Sequence, residues 1–134
     1  MLETRASAIL LSLLIAAGCS KGASEANDEG RAVAVQFLDE LRAGRLKPAW
    51  ENSSTEFKSL MGVENLRDYI KSHPALKAQA EFAESRTVDR EGRSLAEYVF
   101  HATAQVRKKP VPATIKVILA SGHEGWKVER LAVE

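Results

Sequence analysis

The chain has 134 residues, 45% of them hydrophobic and 28% charged, with a formal net charge of +1. That length fits one small domain with one modest core, and the near-neutral balance gives no reason to expect nucleic acid or an acidic membrane surface as a partner. Cys19 is the single cysteine, which excludes an intramolecular disulfide and leaves packing alone to hold the fold.

The chain opens on a polar pentapeptide with one cation, Arg5, and one anion, Glu3. An apolar run from Ala6 to Ala17 follows, broken only by Ser7 and Ser12. As a helix this run spans roughly 18 Å, short of the ~30 Å hydrocarbon core of a bilayer. It therefore has the length of a signal-peptide hydrophobic region and not of a membrane span. The run ends in Ala16-Ala17-Gly18-Cys19, which resembles the bacterial lipobox, with Ala16 standing where leucine is usual. The resemblance implies residues 1–18 as a signal peptide cut between Gly18 and Cys19. It also implies acylation of Cys19 and attachment to the lipid bilayer through it, since more than one acyl chain gives stable anchoring. Ser20 is not aspartate, which by resemblance to enterobacterial lipoproteins implies a place in the cell envelope at the outer membrane, facing the periplasm. Lys21–Asp28 is small, polar and without hydrophobic period, so residues 19–27 are expected to form a lipidated flexible tether and 28–134 the folded domain.

A helix is expected from a cap at Asn27 or Asp28 to about Ala43. Val33, Phe37 and Leu41 recur every four residues, and Ala34 and Leu38 widen the stripe. Gly44 stops it. Leu46–Asn52 starts a second helix, with Pro48 in its first turn and Trp50 as its largest apolar group. Ser53-Ser54-Thr55 offers caps, and Phe57, Leu60 and Met61 offer apolar contacts. Gly62 breaks the chain before a short helix over Val63–Ser72, and Pro74 marks its end.

The remainder alternates with period two. Ala80–Val88 is the first expected strand. Phe82 is its best core residue, although Glu84 and Arg86 share that parity. Asp89-Arg90-Glu91-Gly92 is a turn. In Leu95–Arg107 the residues Ala96, Tyr98, Phe100, Ala102, Ala104 and Val106 form one mostly apolar face, with His101 on the other. Lys108-Lys109-Pro110-Val111-Pro112 is expected as a polar connection, followed by strands at Ala113–Ala120 and Trp126–Val133. In the last strand Trp126 and Val128 have opposite parity to Leu131 and Val133. A bulge near Glu129-Arg130 would place all four on the core side.

Helices followed by a four-stranded antiparallel meander predict an α+β domain, with N-terminal helices packed on one face of a curved sheet. From about Asp28 to Glu134 the chain resembles small bacterial lipoproteins of the nuclear transport factor 2-like, or cystatin-like, cone superfamily. The resembling segments are Phe37–Arg45, Ala49-Trp50, Ser54–Lys58 and Gly125–Leu131. The resemblance implies a cone-shaped space between helices and sheet, used by enzymatic relatives for isomerase or dehydratase chemistry, and homodimers formed through the open sheet face. It is poor guidance to function, because this fold hosts many activities.

No motif for chemistry stands out. His73, His101 and His123 lack paired ligand spacing, so no metal site or cofactor is expected, and there is no phosphate-binding glycine loop and no Gly-x-Ser-x-Gly. Arg107-Lys108-Lys109 reads as a solvated basic run, with membrane headgroup contact as the lesser reading. Trp50, Phe57, Tyr69, Tyr98, Phe100 and Trp126 are the candidate lining of the cone, or simply its filling. An acid–base enzyme would need a carboxylate or histidine inside it, whereas Asp68 and His101 are expected to face outward. The preferred expectation is a non-catalytic, membrane-anchored domain binding a small ligand or protein partner. The alternatives are an isomerase- or dehydratase-like enzyme and a structural accessory lipoprotein without a ligand.

Overall fold

A computed structural model of the chain describes Lys21–Glu134, with side chains from Glu29 onward. The apolar run and the expected lipidation and cleavage sites, Gly18 and Cys19, lie outside the described residues. Four helices come first: α1 (Lys21–Arg42), α2 (Leu46–Glu51), α3 (Thr55–Leu60) and α4 (Val63–Ser72). A 3-10 turn (Pro74–Lys77) leads into β1 (Ala80–Arg90), β2 (Arg93–Val106), β3 (Lys109–Gly122) and β4 (Gly125–Val133). The strands form one antiparallel sheet in the order β1-β2-β3-β4, and α1 and α3 pack on it. The expected α+β architecture is therefore the observed one.

The start of α1 differs from expectation. It lies at Lys21, within the stretch read as a tether and ahead of the caps at Asn27 and Asp28. Ala23, Glu25 and Ala26 are good helix formers, and their summed propensity carries the helix back through Gly22 and Ser24. Its other end is as expected. Gly44 takes φ +83°, Arg45 N donates to Glu40 O at 2.8 Å and Gly44 N to Leu41 O at 3.1 Å. This is the paired closure in which a left-handed glycine satisfies the last carbonyls of a helix.

The α1 stripe makes the helical side of the core. Ala34, Phe37, Leu38 and Leu41 are all buried, and they share one cluster with Tyr98, Phe100, Val117 and Leu119 of the sheet. Gly30 is buried on the same helix. A Cβ built there would lie 2.2 Å from the Tyr98 hydroxyl oxygen, so the helix backbone rests directly on that ring. Burial of the aromatic and aliphatic groups in this cluster is the main favourable term holding the domain together.

Two bulges set which side chains reach the core. In β1 the register shifts between Phe82 and Glu84, leaving Ala83 without a partner. Phe82 pairs with inward Phe100, while Glu84 pairs with Val99 and Arg86 with Glu97 on the opposite face. The mixed parity read along this strand is thereby resolved. In β4 the pairs Ile118↔Arg130 and Leu119↔Val128 skip Glu129, which is the expected bulge. Val128 is buried, and Trp126, Leu131 and Val133 pack partly buried against the same core.

The β2–β3 hairpin outruns the sheet. The last β1 partner of β2 is Ala102, and β4 ends opposite Thr114, which exchanges backbone hydrogen bonds with Glu134. The pairs from Thr103↔Pro112 to Val106↔Lys109 therefore form a two-stranded projection. Pro110 and Pro112, expected in a connection, lie inside β3. With no β4 beside them they interrupt no hydrogen-bond ladder.

Candidate functional site

The interior of the cone is occupied. Tyr98, Phe57 and Phe100 are 0, 2 and 2% exposed, and Trp50, Tyr69 and Trp126 pack partly buried against the same cluster. Phe37 meets Phe57 edge-on at 5.7 Å, and Phe82 meets Phe100 edge-on at 5.8 Å. The six residues expected to line a pocket are thus neighbours in one core, and Phe57 and Trp126 also reach two separate surface clefts. Asp68 is exposed. His101 is exposed as well, in an open depression of about 590 Å³ on the outer sheet face with Glu81, Thr103, Thr114 and Glu134. Among the described residues no ion pair engages it. His73 stacks on Tyr69 at 4.1 Å, and the Tyr69 hydroxyl accepts from Val133 N at 3.1 Å, which ties α4 to the end of β4. No group of three or more His, Cys, Asp or Glu able to hold a metal occurs among the described residues.

The site with convergent polar and apolar groups is a groove of about 330 Å³ where α3 meets the β4 edge. Its apolar wall comes from α3. Ser54 begins that helix, its Oγ accepting from Phe57 N at 3.1 Å while its own N–H donates to Val128 O at 2.9 Å. The cap and the edge bond together fix α3 against β4. Trp50 Nε1–H then donates to Met61 O at 2.8 Å and fixes the exit of the helix. The result holds Leu60 out of the core at 63% exposure. Its expected apolar contacts are those of the groove wall, because the helix has only a turn and a half and Phe57 takes the inward position. Leu60, Met61, Leu131 and Ile118 line the groove.

Its polar rim is built on the outer face of the sheet. Arg86 pairs with Glu97 at 2.8 Å and Lys116 with Glu134 at 2.6 Å. Arg93 reaches across to Glu129 at the bulge, and this carboxylate holds the Arg93 guanidinium above its ordinary pKa. The carboxylates that line the groove (Glu97, Glu129 and Glu134) are therefore all engaged. Arg90 and Arg130 line the same groove and take part in no ion pair among the described residues. Two guanidiniums beside an apolar wall suit a ligand with an anionic head, because the planar fork matches carboxylate and phosphate oxygens. Sequence reading missed this site. Arg90 and Arg130 lie forty residues apart, and which arginines keep a free guanidinium is decided by cross-strand pairing that no local pattern reports.

No helix among the described residues is long and apolar enough to cross a membrane. No protein-family profile matches the chain, and no curated protein sequence matches it. Solved structures do. The chain is similar to a protein from Catenulispora acidiphila at TM-score 0.60 and 9% identity, over 84% of this chain and 93% of that one. It is similar also to a nuclear transport factor 2-like protein with a cystatin-like fold from Novosphingobium aromaticivorans. Here the TM-score is 0.54 and the identity 9%, over 84% of this chain and 82% of that one. At such identity the likeness is one of fold: helices on a curved antiparallel sheet, as in the cystatin-like cone.

Proposed function

We propose that this cystatin-like cone is the extracytoplasmic domain of a bacterial lipoprotein, anchored through acylated Cys19, that binds a small anionic and partly apolar ligand without transforming it. The observation carrying the ligand reading is the edge groove, where Arg90 and Arg130, beside Leu60, Met61 and Leu131, form no ion pair among the described residues. Its volume of about 330 Å³ lies at the small end of the range for ligand sites, roughly 300–1,000 Å³. The anchor reading is supported by the apolar run that ends in Ala16-Ala17-Gly18-Cys19.

A second reading is favoured by the filled cone: an accessory lipoprotein with no ligand of its own. Titration of the purified protein with medium-chain fatty acids and alkyl phosphates, followed by tryptophan fluorescence, separates the two. The binding reading expects saturable binding that Arg130→Gln and Arg90→Gln each weaken at least several-fold. Absence of saturable binding by both probe classes gives the accessory reading, whereas saturable binding with affinity unchanged in both variants refutes the edge groove as the site. The anchor is tested separately by mass spectrometry of the mature N-terminus in wild type and Cys19→Ala. A homodimer through the outer sheet face would add a second partner, read by sedimentation of the same samples.

A further inference from the structure

The near-neutral charge of the whole chain hides a local concentration at the end of the projecting β2–β3 hairpin. Arg107, Lys108 and Lys109 stand consecutively there, and none forms an ion pair among the described residues. Behind them Val106 and Val111 are 39 and 44% exposed. The register pairs Val106 with Lys109 and Ala104 with Val111, so both valines lie on one side of the ribbon, diagonal to each other. The turn itself holds Arg107 at φ +53° and Lys108 at φ +66°. Two-residue hairpin turns of this hand favour asparagine and glycine. Long cationic side chains in the left-handed region carry a conformational cost.

We propose that this hairpin tip is a contact site for an anionic phospholipid surface, with Arg107, Lys108 and Lys109 at the phosphates and Val106 and Val111 dipping into the headgroup boundary. Each part fits that partner. Cations within a Debye length of an anionic leaflet are attracted additively, while exposed aliphatic groups beside them gain by leaving water. The projection clears β1 and β4, so the tip can reach a flat surface without the sheet colliding with it. The contact deepens the membrane-anchored reading by giving the tethered domain a fixed side toward the bilayer, yet it needs no acylation of Cys19 to form.

The test uses the full chain with Cys19→Ala and Val111→Cys, carrying an environment-sensitive fluorophore on the new thiol. Lys47→Cys, labelled in the same Cys19→Ala chain, serves as a control position far from the tip in sequence. The expected result is a blue shift of the Val111 label on vesicles containing phosphatidylglycerol, absent on phosphatidylcholine alone and absent from the Lys47 label. High salt, or Arg107→Glu with Lys108→Glu and Lys109→Glu, should abolish the shift. At about a fivefold change per basic residue near such a surface, loss of the three cations alone should raise the lipid requirement roughly a hundredfold, and the added carboxylates raise it further. A Val111 label that stays in water on every vesicle overturns the proposal, as does a shift indifferent to salt and charge reversal. Neither outcome bears on the anchor, which is read from the mass of the mature N-terminus.

Discussion

Replacing Gly30 by alanine sets two effects against each other. In a helix interior alanine is favoured over glycine by about 1 kcal/mol, so helix propensity alone predicts a more stable protein. The structure predicts the reverse. The added Cβ would sit 2.2 Å from the Tyr98 hydroxyl oxygen, 3.0 Å from Cζ and 3.2 Å from Cε2. Tyr98 is fully buried, with Phe82 at 6.5 Å on one side, and its ring is not the free end of a flexible chain. Either α1 lifts or the ring moves, and overpacking of this kind costs roughly 1–3 kcal/mol. With the contact so short the upper part of that range applies, and the net loss is about 1–2 kcal/mol. For a domain of this size that lowers the melting temperature by roughly 4–8 °C. Urea denaturation followed by fluorescence of Trp50 and Trp126 reads the change directly. Tyr98→Phe removes the atom that is struck. In a double-mutant cycle the contribution of the hydroxyl to its other interactions cancels, leaving the coupling. Gly30→Ala should cost about 1 kcal/mol less in the Tyr98→Phe background than in wild type. A higher midpoint for Gly30→Ala alone, or strict additivity in the cycle, would refute the close approach of α1 to Tyr98.

Two further outcomes follow from particular contacts. Trp126→Ala should destabilise the protein by about 2–3 kcal/mol, below the usual range for a fully buried aromatic, because the ring is only partly buried against the core; an unchanged denaturation midpoint would mean that the ring does not pack. The Arg67 guanidinium holds the Glu64 carboxyl below its ordinary value of 4.5. A depressed folded value means that the pair contributes above the ordinary value and that its contribution is lost as pH falls through the lower one. Carbon NMR titration of Glu64 should show that depression and lose it in Arg67→Ala; a midpoint at or above 4.5 in wild type would disprove the pairing.

The fold was legible where a periodic pattern reports a face. The α1 stripe of Ala34, Phe37, Leu38 and Leu41 and the inward run from Ala96 to Ala104 are the two sides of the core, and each announces itself by its own period. The β4 bulge was also legible, because Trp126 and Val128 conflict in parity with Leu131 and Val133 and one inserted residue repairs the conflict. The same sign stood in β1, where Phe82 and Glu84 conflict, and Ala83 supplies the inserted residue. Other features left no local trace. The helical backbone of Lys21–Asp28 follows from summed weak propensities and shows no stripe. Filling of the cone depends on volumes brought together from α1, α3 and β2. The edge groove depends on which guanidiniums the cross-strand pairs leave over. The prolines of β3 misled because their usual meaning, an interrupted strand, assumes a neighbour on both sides.

The two bulges sit in the two outermost strands of the sheet, and this limits how copies of the domain can add to one another. A regular outer strand offers a row of open N–H and C=O groups on which a second molecule can build, and the addition can repeat without end. In β1 the row is broken at Ala83 and set with Glu81, Glu84, Arg86 and Arg90. In β4 it is broken at Glu129, and Ser54 N and the Tyr69 hydroxyl already occupy Val128 O and Val133 N. Neither border offers a further strand its full length. A domain with both borders interrupted is poorly suited to grow by strand addition into fibres, however concentrated it becomes.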